Sequence, residues 1–249
     1  MTSLTVSEKI LFDYSVILVQ PKIEGNIGAI ARLCNNYNAK NLILIDPQVN
    51  HLSSESRARA MHSSKYLENA KIYSTLSDIR KKYTTLIATT AKAGEQYKIS
   101  RQPILPWDFA ELEIPPNAKI GLVFGREDIG LLNEEIDMCD ILVNVPLPGE
   151  HKVLNLSHAV AILLHELWKV STNIEKIKKQ ERMSSYSERM VLFDEIEKIL
   201  EKIEYFEHKK PIVYKLIQKI INRSFPNHQE IHGLIGFFKA IRRKLEKKC

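Results

Sequence analysis

Residues 15–32 read SVILVQPKIEGNIGAIAR. Ser15 to Gln20 is a β-branched apolar run, stopped by Pro21, whose ring cannot extend a strand interior. Gly25 and Gly28 allow a tight turn and close backbone approach. From Ile27 to Tyr37 the apolar residues return with helical spacing. A buried strand running through a glycine turn into a helix is the repeating unit of an α/β fold. Further strands are expected at Leu42 to Asp46, Thr84 to Thr89, Lys119 to Phe124 and Ile141 to Leu147. Helices are expected at Ser54 to Ser63 and Asn155 to Val170. Apolar strands separated by helices predict a parallel sheet covered on both faces.

Near Ser171 the pattern changes. Residues 171–187 (STNIEKIKKQERMSSYS) lack a strong apolar stripe and read as a linker. Three helices are expected beyond it, at Met190 to Phe206, Ile212 to Arg223 and Gln229 to Lys247, with Pro211 in a first turn and Pro226 as a breaker. The expected division is 1–170, 171–187 and 188–249. From Phe206 onward eleven Lys/Arg face three Asp/Glu, so the last part reads as a small basic helical extension. A chain ending near Trp168 would keep the α/β part. Ile212, Ile220, Leu234 and Phe237 would then be the apolar residues that must pack on something.

No apolar run is long enough for a bilayer, and Glu8, Lys9 and Asp13 break any signal-peptide pattern. The expectation is a cytoplasmic protein with no membrane partner. Cys34, Cys139 and Cys249 match no zinc spacing, and Cys34 and Cys139 read as buried free thiols. The net charge of +6 points weakly to a polyanion.

Three segments carry potential chemistry. The first runs from Asn26 to Arg32; its bland reading is a helix cap and a surface arginine. The second is Val123 to Leu131 (VFGREDIGL), a strand entering a glycine-rich turn at the sheet edge where ligands bind. The third joins Val145-Pro146-Leu147 to Leu154-Asn155-Leu156-Ser157-His158-Ala159, a strand, a loop and a helix start. His158 and His165 stand too far apart for a metal pair. G-x-G-x-x-G after the first strand, a P-loop and a G-x-S-x-G elbow do not occur.

In order, N-x-G-x-x-x-R, F-G-x-E-x-x-G-L and P-x(n)-L-N-L-S-x-A-V-A resemble the three motifs of the SpoU-type branch of the SPOUT RNA 2′-O-methyltransferases, over about Val16 to Glu166. Val213 to Lys244 is similar to the C-terminal helices of that family's TrmJ group, which modifies tRNA nucleotide 32. The resemblance implies an α/β fold with a deep trefoil knot near the third motif. It also implies a homodimer whose interface builds the site, S-adenosylmethionine as methyl donor, and no metal. It assigns Arg32, Asn26, Glu127 and Asn155 to catalysis, with Glu127 orienting Arg32 or a neighbouring loop. It assigns donor binding to Thr89, Thr90, Ala91, Gly125, Val145, Lys152, Val153, Leu154 and Leu156, with Leu154 and Leu156 as apolar walls. The substrate it implies is the ribose 2′-hydroxyl of a cytidine or uridine in the tRNA anticodon loop. Ribosomal RNA methylation, or RNA binding without catalysis, are the alternatives.

Overall fold

The computed structural model describes residues 12–91, 102–150, 152–171 and 183–246. Six parallel strands form one sheet. They are β1 (Asp13–Val19), β2 (Leu42–Ile45), β3 (Lys71–Tyr73), β4 (Thr85–Thr90), β5 (Lys119–Phe124) and β6 (Ile141–Asn144). Their spatial order is β3-β2-β1-β5-β4-β6. Alternate residues leave a strand on opposite faces, so each strand feeds two cores. Val16, Leu18, Leu44, Ile87, Leu122 and Val143 pack on one side with α1 (Glu24–Asn36) and α6 (Leu156–Ser171). Ile17, Ile43, Leu86, Val123 and Leu142 pack on the other. There they meet Ile79 of α4 (Ser77–Arg80) and Ile136 of α5 (Asn133–Asp137). The predicted two-faced parallel sheet is therefore present.

Several details differ from the sequence reading. β3 was not expected; it is three residues long, at an edge, and largely exposed. The first helix after β2 divides into α2 (Ser54–Ala60), a 3₁₀ turn and α3 (Ser64–Glu68). β6 stops at Asn144, so Val145 to Leu147 belong to the following loop. Ile104 bridges Val143 on the outer side of β6. β6 is thus flanked by β4 and by the segment that follows β4 in the chain; the connection at 92–101 lies outside the described residues. Arg101, Cys249 and most of the expected linker (172–182) also fall outside them.

The C-terminal helices are α7 (Tyr186–Lys202), α8 (Lys210–Arg223) and α9 (His228–Glu246). α7 begins earlier than the apolar pattern suggested because Ser185 caps it. The Ser185 hydroxyl accepts from the Glu188 backbone N–H, and the Glu188 carboxylate accepts from the Ser185 N–H, a reciprocal capping box. Leu192, Phe193, Ile196, Leu200, Ile231 and Ile235 form a core of their own. Ile212, Ile220, Leu234 and Phe237, expected to pack on something, are instead exposed, Phe237 by 61%.

This helical unit docks firmly on the sheet. Phe225 enters the main core. The buried Asp140 accepts two hydrogen bonds from Arg80, at 2.7 and 2.8 Å, one from Asn222 at 2.6 Å and one from the Leu86 N–H at 2.9 Å. Arg189, 1% exposed, donates to the Thr84 carbonyl. Burial lowers the pKa of Arg189, and the Asp140 charge opposes that shift. Its Nε and Nη1 have no hydrogen-bond partner among the described residues. Desolvation therefore offsets most of what the Arg189 charge contributes. Arg189→Met should change unfolding free energy by less than about 1.5 kcal/mol. A loss of several kcal/mol in a denaturant titration would contradict this reading.

Candidate active site

The chain leaves β1 toward β2 and leaves β5 toward β6, on opposite sides. The adjacent carboxyl ends of β1 and β5 therefore border a crevice of the kind that binds ligands in α/β sheets. Two polar networks shape it.

The first network is built by Glu127. Its carboxylate accepts from the Lys22 N–H (3.0 Å), the Ile23 N–H (3.2 Å) and Asn26 Nδ2 (3.0 Å). These groups lie at the start of α1, where Ile23 occupies the capping position and has no side-chain acceptor. Glu127 thus caps α1 from a remote loop, its charge complementing the positive helix end. Asn26 Oδ1 in turn accepts from Asn155 Nδ2 at 3.1 Å. Asn155 Oδ1 accepts from the N–H and hydroxyl of Ser157, capping α6. The three motifs therefore meet through one chain of side chains, Asn155 to Asn26 to Glu127. Asn26 is 6% exposed and sits inside the helix, not at its cap. Of the two expected roles for Glu127, its contacts are those of the loop-orienting one. Arg32 lies two turns along α1, exposed, with no hydrogen bond or ion pair among the described residues.

The second network was not visible in the sequence. Arg126 is 8% exposed and forms a two-pronged ion pair with Glu135 at 2.9 and 3.0 Å. Its Nε donates to Gln20 at 2.6 Å, and Gln20 donates to Asp46 at 2.7 Å. Three loops following β1, β2 and β5 are thereby tied together. Such forked guanidinium–carboxylate geometry is among the stronger polar contacts.

The glycines have definite reasons. A Cβ on Gly28 would lie 2.1 Å from the Ser56 carbonyl oxygen, so Gly28 permits α1 to contact α2 rather than forming a turn. A Cβ on Gly125 would fall 2.1 Å from the Gly130 carbonyl carbon. Gly125 lets the loop close on itself, with Gly130 at φ +72° completing the turn. Gly125→Val should therefore lower the thermal midpoint and S-adenosylmethionine affinity together. Full affinity with an unchanged midpoint, by calorimetry and thermal melting, would contradict this.

The expected donor residues lie at neighbouring strand ends, since β5, β4 and β6 are adjacent. Thr89 donates to the Val123 carbonyl at 3.2 Å, and Asn144 donates to the Thr90 carbonyl at 2.9 Å, which fixes this edge. Ala91, Lys152 and Val153 are exposed, while Val145 and Leu154 are half-buried. Leu156, the first residue of α6, lies in the core. Val153, 66% exposed here, is an apolar group of the kind that walls an adenosyl site.

Away from the crevice, Cys34 and Cys139 are free and fully buried, and burial pushes both thiols up, as expected of inert cysteines. No described helix is long and apolar enough to cross a membrane.

Residues 13–165 match the SpoU rRNA Methylase family, the span that holds all three motifs and the Glu127 relay. The chain belongs to the SpoU methylase family. It is 34% identical over 226 residues to the tRNA (cytidine-2′-O-)-methyltransferase TrmJ of Methanocaldococcus jannaschii, covering 90% of this chain and 98% of the relative. The enzyme of the same name from Sulfolobus acidocaldarius is 28% identical, over 94% of this chain and 95% of its own. The crystal structure of TrmJ from Z. mobilis shares the fold, with a TM-score of 0.64, 23% identity, and coverage of 91% of this chain and 98% of that one. This SpoU-family chain is a methyltransferase, and the likeness to TrmJ extends through its C-terminal helices.

Proposed function

We propose that this methyltransferase transfers a methyl group from S-adenosylmethionine to a ribose 2′-hydroxyl of tRNA, at nucleotide 32 of the anticodon loop, with cytidine favoured over uridine. The observation that carries the reading is the Asn155–Asn26–Glu127 relay. It joins the three family motifs at one sheet edge, in a chain whose TrmJ relatives match it nearly end to end.

The donor supplies a methyl group already activated on a sulfonium, so no Lewis acid is required. Ala91, Val145, Val153 and Leu154 offer its apolar walls, with Thr89, Thr90, Gly125 and Lys152 at the rim. The chain's own task is the poor nucleophilicity of a protonated hydroxyl. An arginine guanidinium is a weak base. Arg32 acts by stabilising negative charge on the 2′-oxygen as its proton leaves to water or phosphate. Glu127, Asn26 and Asn155 hold α1 and α6 in register, and so position Arg32 indirectly.

In this reading two chains pair to build the site, and exposed apolar groups such as Ile23 (47%) and Ile129 (62%) near the crevice are covered by the partner. The α/β part, 1–170, carries chemistry; the helices beyond 188, joined through 171–187, hold the tRNA. The protein works in the cytoplasm, where its substrate is. Nucleoside mass spectrometry of tRNA incubated with protein and S-adenosylmethionine tests this. 2′-O-methylcytidine at position 32 is the expected product. Methylation of a ribosomal RNA fragment alone, or no product despite RNA binding, overturns it.

A further inference from the structure

His228 and His232 are four residues apart on α9, so their imidazoles share one helix face. Across from them, in the first turn of α7, stands Glu188. His228 Nδ1 is 2.6 Å and His232 Nε2 is 3.4 Å from the same oxygen, Glu188 Oε1. The two rings are 4.1 Å apart between centroids. One atom from each of the three residues falls within 4.8 Å of the others.

We propose that Glu188, His228 and His232 bind a divalent transition-metal ion, with zinc as the best match, that fastens α7 to α9. Two imidazoles and one carboxylate are the donor set zinc accepts, with bonds of about 2.0–2.2 Å and ligand atoms roughly 3.5 Å apart. Reaching that spacing takes only a small spreading of the Glu188–His228 contact.

The Glu188 carboxylate and the start of α9 are held before any ion arrives. The other Glu188 oxygen accepts from the Ser185 N–H and hydroxyl at 2.7 and 3.0 Å, which orients the carboxylate. The start of α9 is set by Asn227 and Glu230, whose side chains each accept from the other's backbone N–H. Asn227 also bridges Met183, just ahead of α7. Glu230 is occupied by that cap and is not a ligand.

The side chains of Glu188, His228 and His232 are 17%, 36% and 52% exposed, so an ion can enter and a water can take the fourth position. Both helix starts present positive ends, which count against a cation but only weakly beside three direct ligands. The helical unit's own core holds six buried apolar residues, and a unit that small gains from a metal staple.

The test uses the full chain in a Cys249→Ser background, stripped of metal and kept near pH 7.5. Zinc titration should show one equivalent bound per chain. At free zinc 100 times the dissociation constant, the thermal midpoint should rise by about 5 °C or more. Magnesium should not move it. His232→Ala removes the most exposed ligand and leaves the Glu188 cap intact. It should melt where the metal-free parent melts, and should lose both the zinc equivalent and the rise. The proposal is overturned if the parent binds no zinc, if magnesium acts equally, or if His232→Ala responds like the parent. Methyl transfer does not enter these readouts.

Discussion

Arg32→Ala should lose two to three orders of magnitude in methyl transfer while melting within a degree or two of the parent. The stability half follows from its surroundings. Arg32 is exposed on α1 and has no hydrogen bond or ion pair among the described residues. Surface substitutions of that kind change stability by only about 0.5 kcal/mol. The activity half follows from charge. A cation facing the incipient 2′-alkoxide is felt chiefly as charge develops, and removing one such donor typically costs about 10²–10³ in rate. The loss should therefore fall on kcat more than on KM. Arg32→Lys keeps the charge without the planar fork, and should retain a measurable part of the activity. Single-turnover assays at saturating tRNA separate these cases. An alanine variant with normal turnover removes Arg32 from the mechanism. One that merely unfolds assigns it to the fold.

Why Arg32 and the network partners of the site were not equally readable is a matter of distance along the chain. Strands β1, β2, β4 and β5 announce themselves because both faces are buried, which demands unbroken apolar runs. β3 escapes because Lys71 and Ile72 are exposed at an edge and need no such run. Asn26 and Glu127 stand 101 residues apart, and no local period marks them as partners. The resemblance placed both in one site without pairing them; the residues alone read as a helix cap and a glycine-rich turn. Arg126, Gln20, Glu135 and Asp46 are joined by contacts whose spelling is indistinguishable from surface charge. Gly125 was legible as a glycine turn, and its lack of a side chain is required by the Gly130 backbone of the same loop. His228 and His232 did carry a signal, their i, i+4 spacing, yet the acid completing the cluster lies 40 residues earlier.

The basic C-terminal helices raise the remaining large effect. Removing them near Trp168 would not be a clean experiment. It would withdraw Phe225 from the main core and leave Asp140 without Asn222. Charge neutralisation is cleaner. Several of the basic residues are already committed: Lys215 to Asp137, Arg242 to Glu195 and Lys202 to Glu246. Lys239, Arg243 and Lys244 on α9 have no hydrogen bond or ion pair among the described residues. Phe237, 61% exposed, stands seven residues before Lys244 and so on its side of the helix, an aromatic group that suits a nucleic-acid strand. Changing Lys239, Arg243 and Lys244 to Gln should weaken tRNA binding on the order of 10²-fold at low salt. It should also flatten the plot of log affinity against log salt by about two to three units, roughly one for each phosphate that is no longer neutralised. The melting curve and S-adenosylmethionine affinity should be unchanged. Phosphate contacts carry no sequence information, so the loss should be the same for all tRNA sequences. Methylation should collapse at limiting tRNA and recover substantially at saturating tRNA, since Arg32 and the donor loops are untouched. An unaltered salt slope would leave α9 with a structural role alone, and its exposed Leu234 and Phe237 would then be a face for a second chain.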